Sequence, residues 1–148
     1  MGMLSKIGTT VAAVALTAGA TSFASPAAQA HDGTPCGARA DACLDLSSSQ
    51  AWLMSNGEVT YGPVPMSSGK PGYETPTGMF HVTWKNRDHW SQTYDAPMPY
   101  SVFFTNNGHA IHEGNIERGS HGCVRLRHAA AKKFFAELEP RDHVQITW

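Results

Sequence analysis

The chain has 148 residues, with 11 Lys and Arg against 12 Asp and Glu, a formal charge of −1 and only 16% charged residues. A nucleic-acid protein needs a basic excess that this balance does not supply. A hydrophobic share of 41% is enough for the core of one ordinary domain, while 14 Gly and 9 Pro argue against a helical bundle or a long coiled coil.

Residues 1–30 read as a secretory leader. Lys6 is the only charge there, residues 7–20 are small and apolar, and Ala28-Gln29-Ala30 offers the small-x-small pattern that signal peptidase accepts. The apolar run is too short and too rich in Thr, Ser and Gly to span a bilayer, which takes about 20 apolar residues. The expectation is cleavage after Ala30, an N-terminal extension over 31–41 and one domain over 42–148. The product is placed outside the cytoplasm, secreted or in the cell envelope, with no stable membrane insertion after cleavage.

Export changes how the three cysteines read, because thiols outside the cytoplasm tend to pair. Cys36 and Cys43 lie seven apart and would staple the mature N-terminus to the first strand. Cys123 is then the odd thiol and a candidate reactive group. A buried Cys acting as a small hydrophobe is the alternative, and a pairing that consumes Cys123 stays open on counting alone.

Along the chain, 42–47 is a short strand. Asn56-Gly57 between 50–54 and 58–61 is a hairpin signal. Residues 64–68 extend the second strand, with Pro63 and Pro65 pushing it to an edge or a bulge. Residues 68–78 have loop composition. Residues 79–84 alternate as a strand, 85–97 read as a long polar and aromatic surface loop, and 100–105 and 109–112 as strands around Asn106-Asn107-Gly108. Residues 127–138 form the helix, with Ala130, Phe134 and Leu138 at four-residue spacing. Pro140 stops it and 142–148 return as a last strand. The fold class is mostly β, an α+β domain with one packed C-terminal helix.

The chemistry concentrates in HAIHEGNIERGSHGCVRLR, residues 109–127. A thiol attacks only as thiolate, and its ordinary pKa of about 8.5 leaves little of that form at neutral pH, so a nearby imidazole must take the proton. Gly122 beside Cys123 lets backbone N–H groups approach a bound carbonyl as an oxyanion hole. Val124 and Leu126 alternate with Arg125, which leads the segment into the sheet. His and Cys are also common zinc ligands. However, H-x-x-H and H-x-C are not the spacings of a standard structural site, so no metal or cofactor is expected. His81, His89, His128 and His143 read as surface or core histidines. Trp52, Trp84, Trp90 and Trp148 read as core or scaffold, with Trp84 and Trp90 alternatively flanking a glycan-facing loop.

Ile111-His112-Glu113-Gly114 followed by Ser120-His121-Gly122-Cys123-Val124-Arg125-Leu126 resembles the signature of the L,D-transpeptidase catalytic domain (YkuD-like) family. Thr75-Pro76-Thr77-Gly78-Met79-Phe80 resembles that family's turn into a strand, and Met98-Pro99-Tyr100 the strand leading to its active-site flap. The resemblance implies a β-sandwich or open barrel acting on peptidoglycan stem peptides. A cysteine would attack the tetrapeptide on the meso-diaminopimelate side, expel D-Ala, and pass the acyl group to a second stem's amine as a 3→3 cross-link. Carried over by position, Cys123 is the nucleophile and His112 the base. Gly122 and Cys123 N–H groups serve the oxyanion, and Ser120 and His121 shape the turn. Arg125 orients the site or binds a substrate carboxylate, and Tyr100 lines the pocket. A monomer without nucleic-acid partners is expected. Only seven residues separate His112 from Ser120, fewer than in many family members, which implies a more open pocket. An L,D-carboxypeptidase of the same fold and a non-catalytic secreted wall-binding domain remain the alternatives.

Overall fold

The computed structural model describes residues 33–148; the leader expected over 1–30 lies outside the described residues. Nine strands and one helix follow in order: β1 (Ala42–Asp45), β2 (Gln50–Ser55), β3 (Glu58–Ser67), β4 (Gly78–His81), β5 (Trp84–Ser91), β6 (Ala96–Phe103), β7 (Ala110–Glu113), β8 (Val124–Leu126), α1 (His128–Glu137) and β9 (His143–Thr147). The Asn56-Gly57 turn between β2 and β3 takes positive φ at both residues, 51° and 83°. That backbone matches the right-handed twist of the flanking strands.

The strands form one sheet in the order β4-β9-β1-β2-β3-β8-β7-β6-β5. The ten residues of β3 pair with β2 at one end and with β8 through Met66 and Ser67 at the other. This long strand carries the curl, and register irregularities at Ala51, Leu53 and Met54 add local twist. The result is a half-barrel around a core that includes Leu44, Val102, Phe104, Ile111, Val124 and Ile146.

The helix closes this core. Ala130, Ala131 and Phe134 are its buried residues, and Leu138 just beyond it is also buried. The side chain of Phe134 is wholly buried, a contribution of about 2–3 kcal/mol. On the opposite face of β1 and β2, Cys43 pairs with Trp52, and both join Cys36, Ala40 and Met54 in a second small cluster. This explains why β1 is buried on both faces. A Cys36–Cys43 disulfide ties the segment before β1 into that cluster.

One sequence expectation fails. Residues 85–97 are not a surface loop. Most of them belong to β5 and β6, a hairpin paired from Trp84 opposite Phe103 to Ser91 opposite Ala96. The strand β5 is the sheet's edge and is mostly solvent-exposed, so it shows no apolar alternation. Pro97 and Pro99 lie in β6 opposite Trp90 and Asp88. Among the described residues no helix is long and apolar enough to cross a membrane.

Candidate active site

The parallel pair β7 and β8 sets Ile111 opposite Val124 and His112 opposite Arg125. Cys123, just before β8, therefore sits at the start of one strand beside the strand that carries His112. The turn before it is bolted from several sides. The buried Ser120 Oγ donates to the Cys123 carbonyl oxygen and accepts from the Gly122 N–H at 3.0 Å. The Ser120 N–H donates to Ser68 O at 2.8 Å, and its own carbonyl accepts from the Lys70 N–H at 3.0 Å. The Thr75 hydroxyl accepts from the Gly69 N–H at 2.9 Å and donates to Gly122 O at 2.8 Å. The Thr-Pro-x-Gly turn seen in the sequence thus holds the loop after β3 against the cysteine turn. Gly69 permits this approach, since a Cβ there would fall 1.8 Å from Tyr73 O.

Cys123 is a free thiol of intermediate exposure. Its Sγ lies 3.8 Å from Gly108 O. Burial pushes the thiol pKa up, against the opposing pull of the Ala110 backbone N–H and the Arg125 guanidinium. His112 is buried at 6% exposure. Its Nδ1 lies 2.7 Å from Glu113 O. A carbonyl only accepts, so Nδ1 carries the proton and Nε2 keeps its lone pair. Burial pushes the imidazole down to about 4; the Glu113 carbonyl opposes this and the charges of Arg125 and His89 add to it. Both groups are therefore neutral at rest around pH 7. The thiolate that the sequence suggested an imidazole would sustain is not the resting state, because the same burial disfavours both charged forms.

Cys123, His112, Ser120, His121 and Arg125 line one cleft of about 530 Å³, walled on the other side by Ser91, Tyr94 and Met98 of the β5–β6 hairpin. A second cavity of about 340 Å³ runs beneath the same hairpin and also reaches Cys123, with His89, Trp90, Phe103 and Gly108 in its wall. Tyr94 and Met98 belong to both walls. His121 is where the hairpin meets the cysteine turn. Tyr94 stacks on its ring at 4.5 Å and Tyr73 meets it edge-on at 4.7 Å.

Two expected roles change. Tyr100 lies away from the cleft, packed against His128 and Phe135, each with ring centroids 5.7 Å from it. It sits on the part of β6 that faces the helix. The Gly122 N–H is committed to Ser120 Oγ and is not free for an oxyanion. The contribution of Gly122 is conformational. Its φ is +117°, and a Cβ would meet His109 Nε2 at 2.7 Å. His109, unassigned from the sequence, braces this turn. Its Nδ1 lies 3.0 Å from Asn107 Oδ1 and 3.1 Å from Thr105 Oγ1. Arg118 and Tyr94 also enter the cleft wall without a sequence signal, since they lie in segments whose spacing fixes no face. Among the described residues no group of three or more His, Cys, Asp or Glu converges to hold a metal ion.

The fold and the cleft together define a half-barrel domain with a free thiol and a buried imidazole at one site. The sequence matches the L,D-transpeptidase catalytic domain over residues 39–146, and the chain belongs to that family. Similar solved structures agree. An L,D-transpeptidase from Stackebrandtia nassauensis is 33% identical, with TM-score 0.67, over 71% of this chain and 53% of that one. The L,D-transpeptidase LdtMt1 in complex with imipenem is 25% identical, with TM-score 0.68, over 74% of this chain and 59% of that one. An L,D-transpeptidase from Xylanimonas cellulosilytica is 25% identical, with TM-score 0.67, over 76% of this chain and 63% of that one. The chain thus spans less than two thirds of the length of these relatives. No curated protein matches it.

Proposed function

We propose that this chain is an exported L,D-transpeptidase that forms 3→3 cross-links between peptidoglycan stem peptides by cysteine acyl transfer. The observation that carries the reading is the pairing, in one cleft, of a free Cys123 with a buried His112 whose tautomer the Glu113 carbonyl fixes. As the Cys123 sulfur attacks the donor carbonyl, its proton passes to His112 Nε2. With the Gly122 N–H committed to Ser120 Oγ, the Cys123 N–H donates to the oxyanion. Protonated His112 then returns its proton to the departing D-Ala amine, the C–N bond breaks, and a thioester is left on Cys123. The acceptor amine attacks the thioester, gives its proton to Nε2, and the C–S bond breaks. The sulfur recovers that proton. The energy of the new amide comes from the one that was broken, so neither metal nor nucleotide is consumed.

Placement outside the cytoplasm draws support from the Cys36–Cys43 disulfide and the leader composition. Arg125, in the cleft wall, orients the site or binds a stem carboxylate; Ser120 and His121 hold the turn and the hairpin. The protein acts as a monomer. The test is incubation with purified disaccharide tetrapeptides followed by mass analysis. Cross-linked dimers support the proposal, tripeptides alone would assign a carboxypeptidase, and unchanged substrate would sink both. In parallel, imipenem should add its mass to the wild type and not to Cys123→Ala.

A further inference from the structure

We propose that the exposed face of Trp84, on the sheet's edge strand, is a sugar-binding platform that holds a pyranose ring of the glycan strand while the attached stem peptide reaches Cys123. The identity of the sugar rests on the transpeptidase reading; the platform itself rests on the packing of the edge strand.

The ring is exposed yet fixed. Trp84 is 46% exposed on β5. Its indole lies flat on the buried Phe103, with ring centroids 4.3 Å apart and 2° between the planes. His89 stands edge-on to both rings, 5.6 Å from Trp84 and 4.9 Å from Phe103. One face of the indole is thus covered and the other is held towards solvent, so little ordering cost remains when a ligand lies on it. The C–H face of a pyranose is flat and weakly positive, which matches the negative face of an aromatic ring.

The surroundings favour a neutral, hydroxyl-rich ligand. The two cations of β5 are drawn to the helix side of the strand. Lys85 Nζ donates to Phe135 O at 2.8 Å and pairs with Glu139 at 3.1 Å, and Arg87 sits over the Tyr100 ring at 5.8 Å. Beside the His89 ring lies the Asn86 side-chain amide, Nδ2 3.4 Å from Nδ1. The cavity that continues from here to Cys123 is walled by His89 and Phe103 with Trp90, Gln92, Thr93 and Asn107, and among the described residues no Asp, Glu, Lys or Arg lines it. The cleft on the other side of the hairpin carries Glu113, Arg118 and Arg125. Charged stem groups therefore suit the cleft, and an uncharged sugar suits the β5 face.

The reach agrees. Cys123 packs against the apolar cluster of Met98, Phe103 and Ala110, so Trp84 lies one stacked ring beyond the cluster that touches the nucleophile. A tetrapeptide donor has three residues between its sugar and the scissile bond, about 10 Å when extended. That length carries the chain from the sulfur past Phe103 to the outer face of the indole.

The test compares wild type, Trp84→Ala and Trp84→Phe on the disaccharide tetrapeptide and on the same tetrapeptide without its sugars. The wild-type kcat/KM should be roughly three- to tenfold higher for the disaccharide form, with the gain in KM. Trp84→Ala should lose most of that preference, and Trp84→Phe, which keeps a flat ring, should keep part of it. The preference is a ratio within one protein, so a general loss from looser packing around Phe103 divides out. Saturation-transfer NMR with the peptide-free disaccharide of N-acetylglucosamine and N-acetylmuramic acid reads the platform without turnover, and its signal should fall in Trp84→Ala. An equal preference in wild type and Trp84→Ala would overturn the platform. So would a wild-type dimer in sedimentation that Trp84→Ala dissolves, which would give this sheet edge to a second copy of the chain. If wild type consumes neither donor while disaccharide binding depends on Trp84, the transpeptidase reading falls and the platform stands. If neither turnover nor binding is seen, both fall.

Discussion

His112 Nδ1 lies 2.7 Å from the carbonyl oxygen of its neighbour Glu113. One backbone acceptor thereby decides which ring nitrogen carries the proton and leaves the other as a base. Burial drives the imidazole down to about 4. An unfolded chain would hold the same histidine near 6.5. As pH falls below 6.5 the unfolded state takes a proton that the folded state refuses. The stability from this residue is complete above that value and is lost as pH falls through the window towards 4. The loss is about 3 kcal/mol across the window, and His112→Gln should flatten that part of the curve. Denaturant unfolding of both proteins between pH 7 and pH 4 measures it. Parallel slopes would show that His112 is not held neutral.

The cysteine has its own signature. Because burial raises the Cys123 pKa and His112 is neutral, no thiolate–imidazolium pair exists at rest. Alkylation by iodoacetamide should therefore climb steadily with pH from 6 to 9, about tenfold per unit, as the thiolate fraction grows. A plateau in reactivity below pH 7 would mean that the pair ionises before substrate arrives.

Ser120 predicts a larger structural effect than its size suggests. It is 1% exposed and bridges Gly122 N–H to Cys123 O. Ser120→Ala leaves a buried donor unpaired and should cost about 2 kcal/mol of unfolding free energy. Thr75→Val removes the bridge from Gly69 N–H to Gly122 O and should cost about as much. Both variants should acylate more slowly with imipenem, since both loosen the turn that aims the sulfur. A Ser120→Ala protein with wild-type stability would remove that residue from the account.

These hydroxyls also mark how far the sequence could be read. The alternation in β9, the Asn56-Gly57 hairpin and the four-residue spacing of Ala130, Phe134 and Leu138 were legible because each buries one face against the core. Cys123 and His112 stood out because their residue types and motif are specific, and the structure sets both in one cleft. The β5–β6 hairpin was not, since an edge strand paired on one side only and wet on most of its surface carries no periodicity. Tyr100 was placed in the pocket by resemblance, and nothing local in the sequence could have corrected that. Its φ of +55° breaks regular strand geometry, so alternation along β6 does not predict which way it faces. The contacts of Thr75 with Gly122 and of Tyr94 with His121 join segments distant in the chain, and no local pattern records them.

Gly122 tests whether His109 braces the cysteine turn. Gly122→Ala adds a methyl 2.7 Å from His109 Nε2 on a backbone at φ +117°. Backbone strain alone should cost about 1–3 kcal/mol. His109→Ala opens the space without relieving the backbone, so the double variant should recover only part of the loss. A coupling of about 1 kcal/mol in the four-protein cycle is expected. Strict additivity would place the two groups out of contact.

The Cys36–Cys43 bridge supplies the last test, because it separates the fold from the chemistry. It closes a loop of sequence separation seven beside Trp52 and Met54, and neither half-cystine lines the cleft. Closing so short a loop removes about 2–3 kcal/mol of unfolded-state entropy. A Cys36→Ala, Cys43→Ala double variant should lose that stability in denaturant unfolding. Its rate of acylation by imipenem at 25 °C should match wild type, since the turn around Cys123 is held by Ser120 and Thr75 and not by the staple. A slowed acylation with intact folding would mean that the N-terminal segment reaches the site, and would make the disulfide part of the catalytic apparatus instead of a clasp on the far face of the sheet.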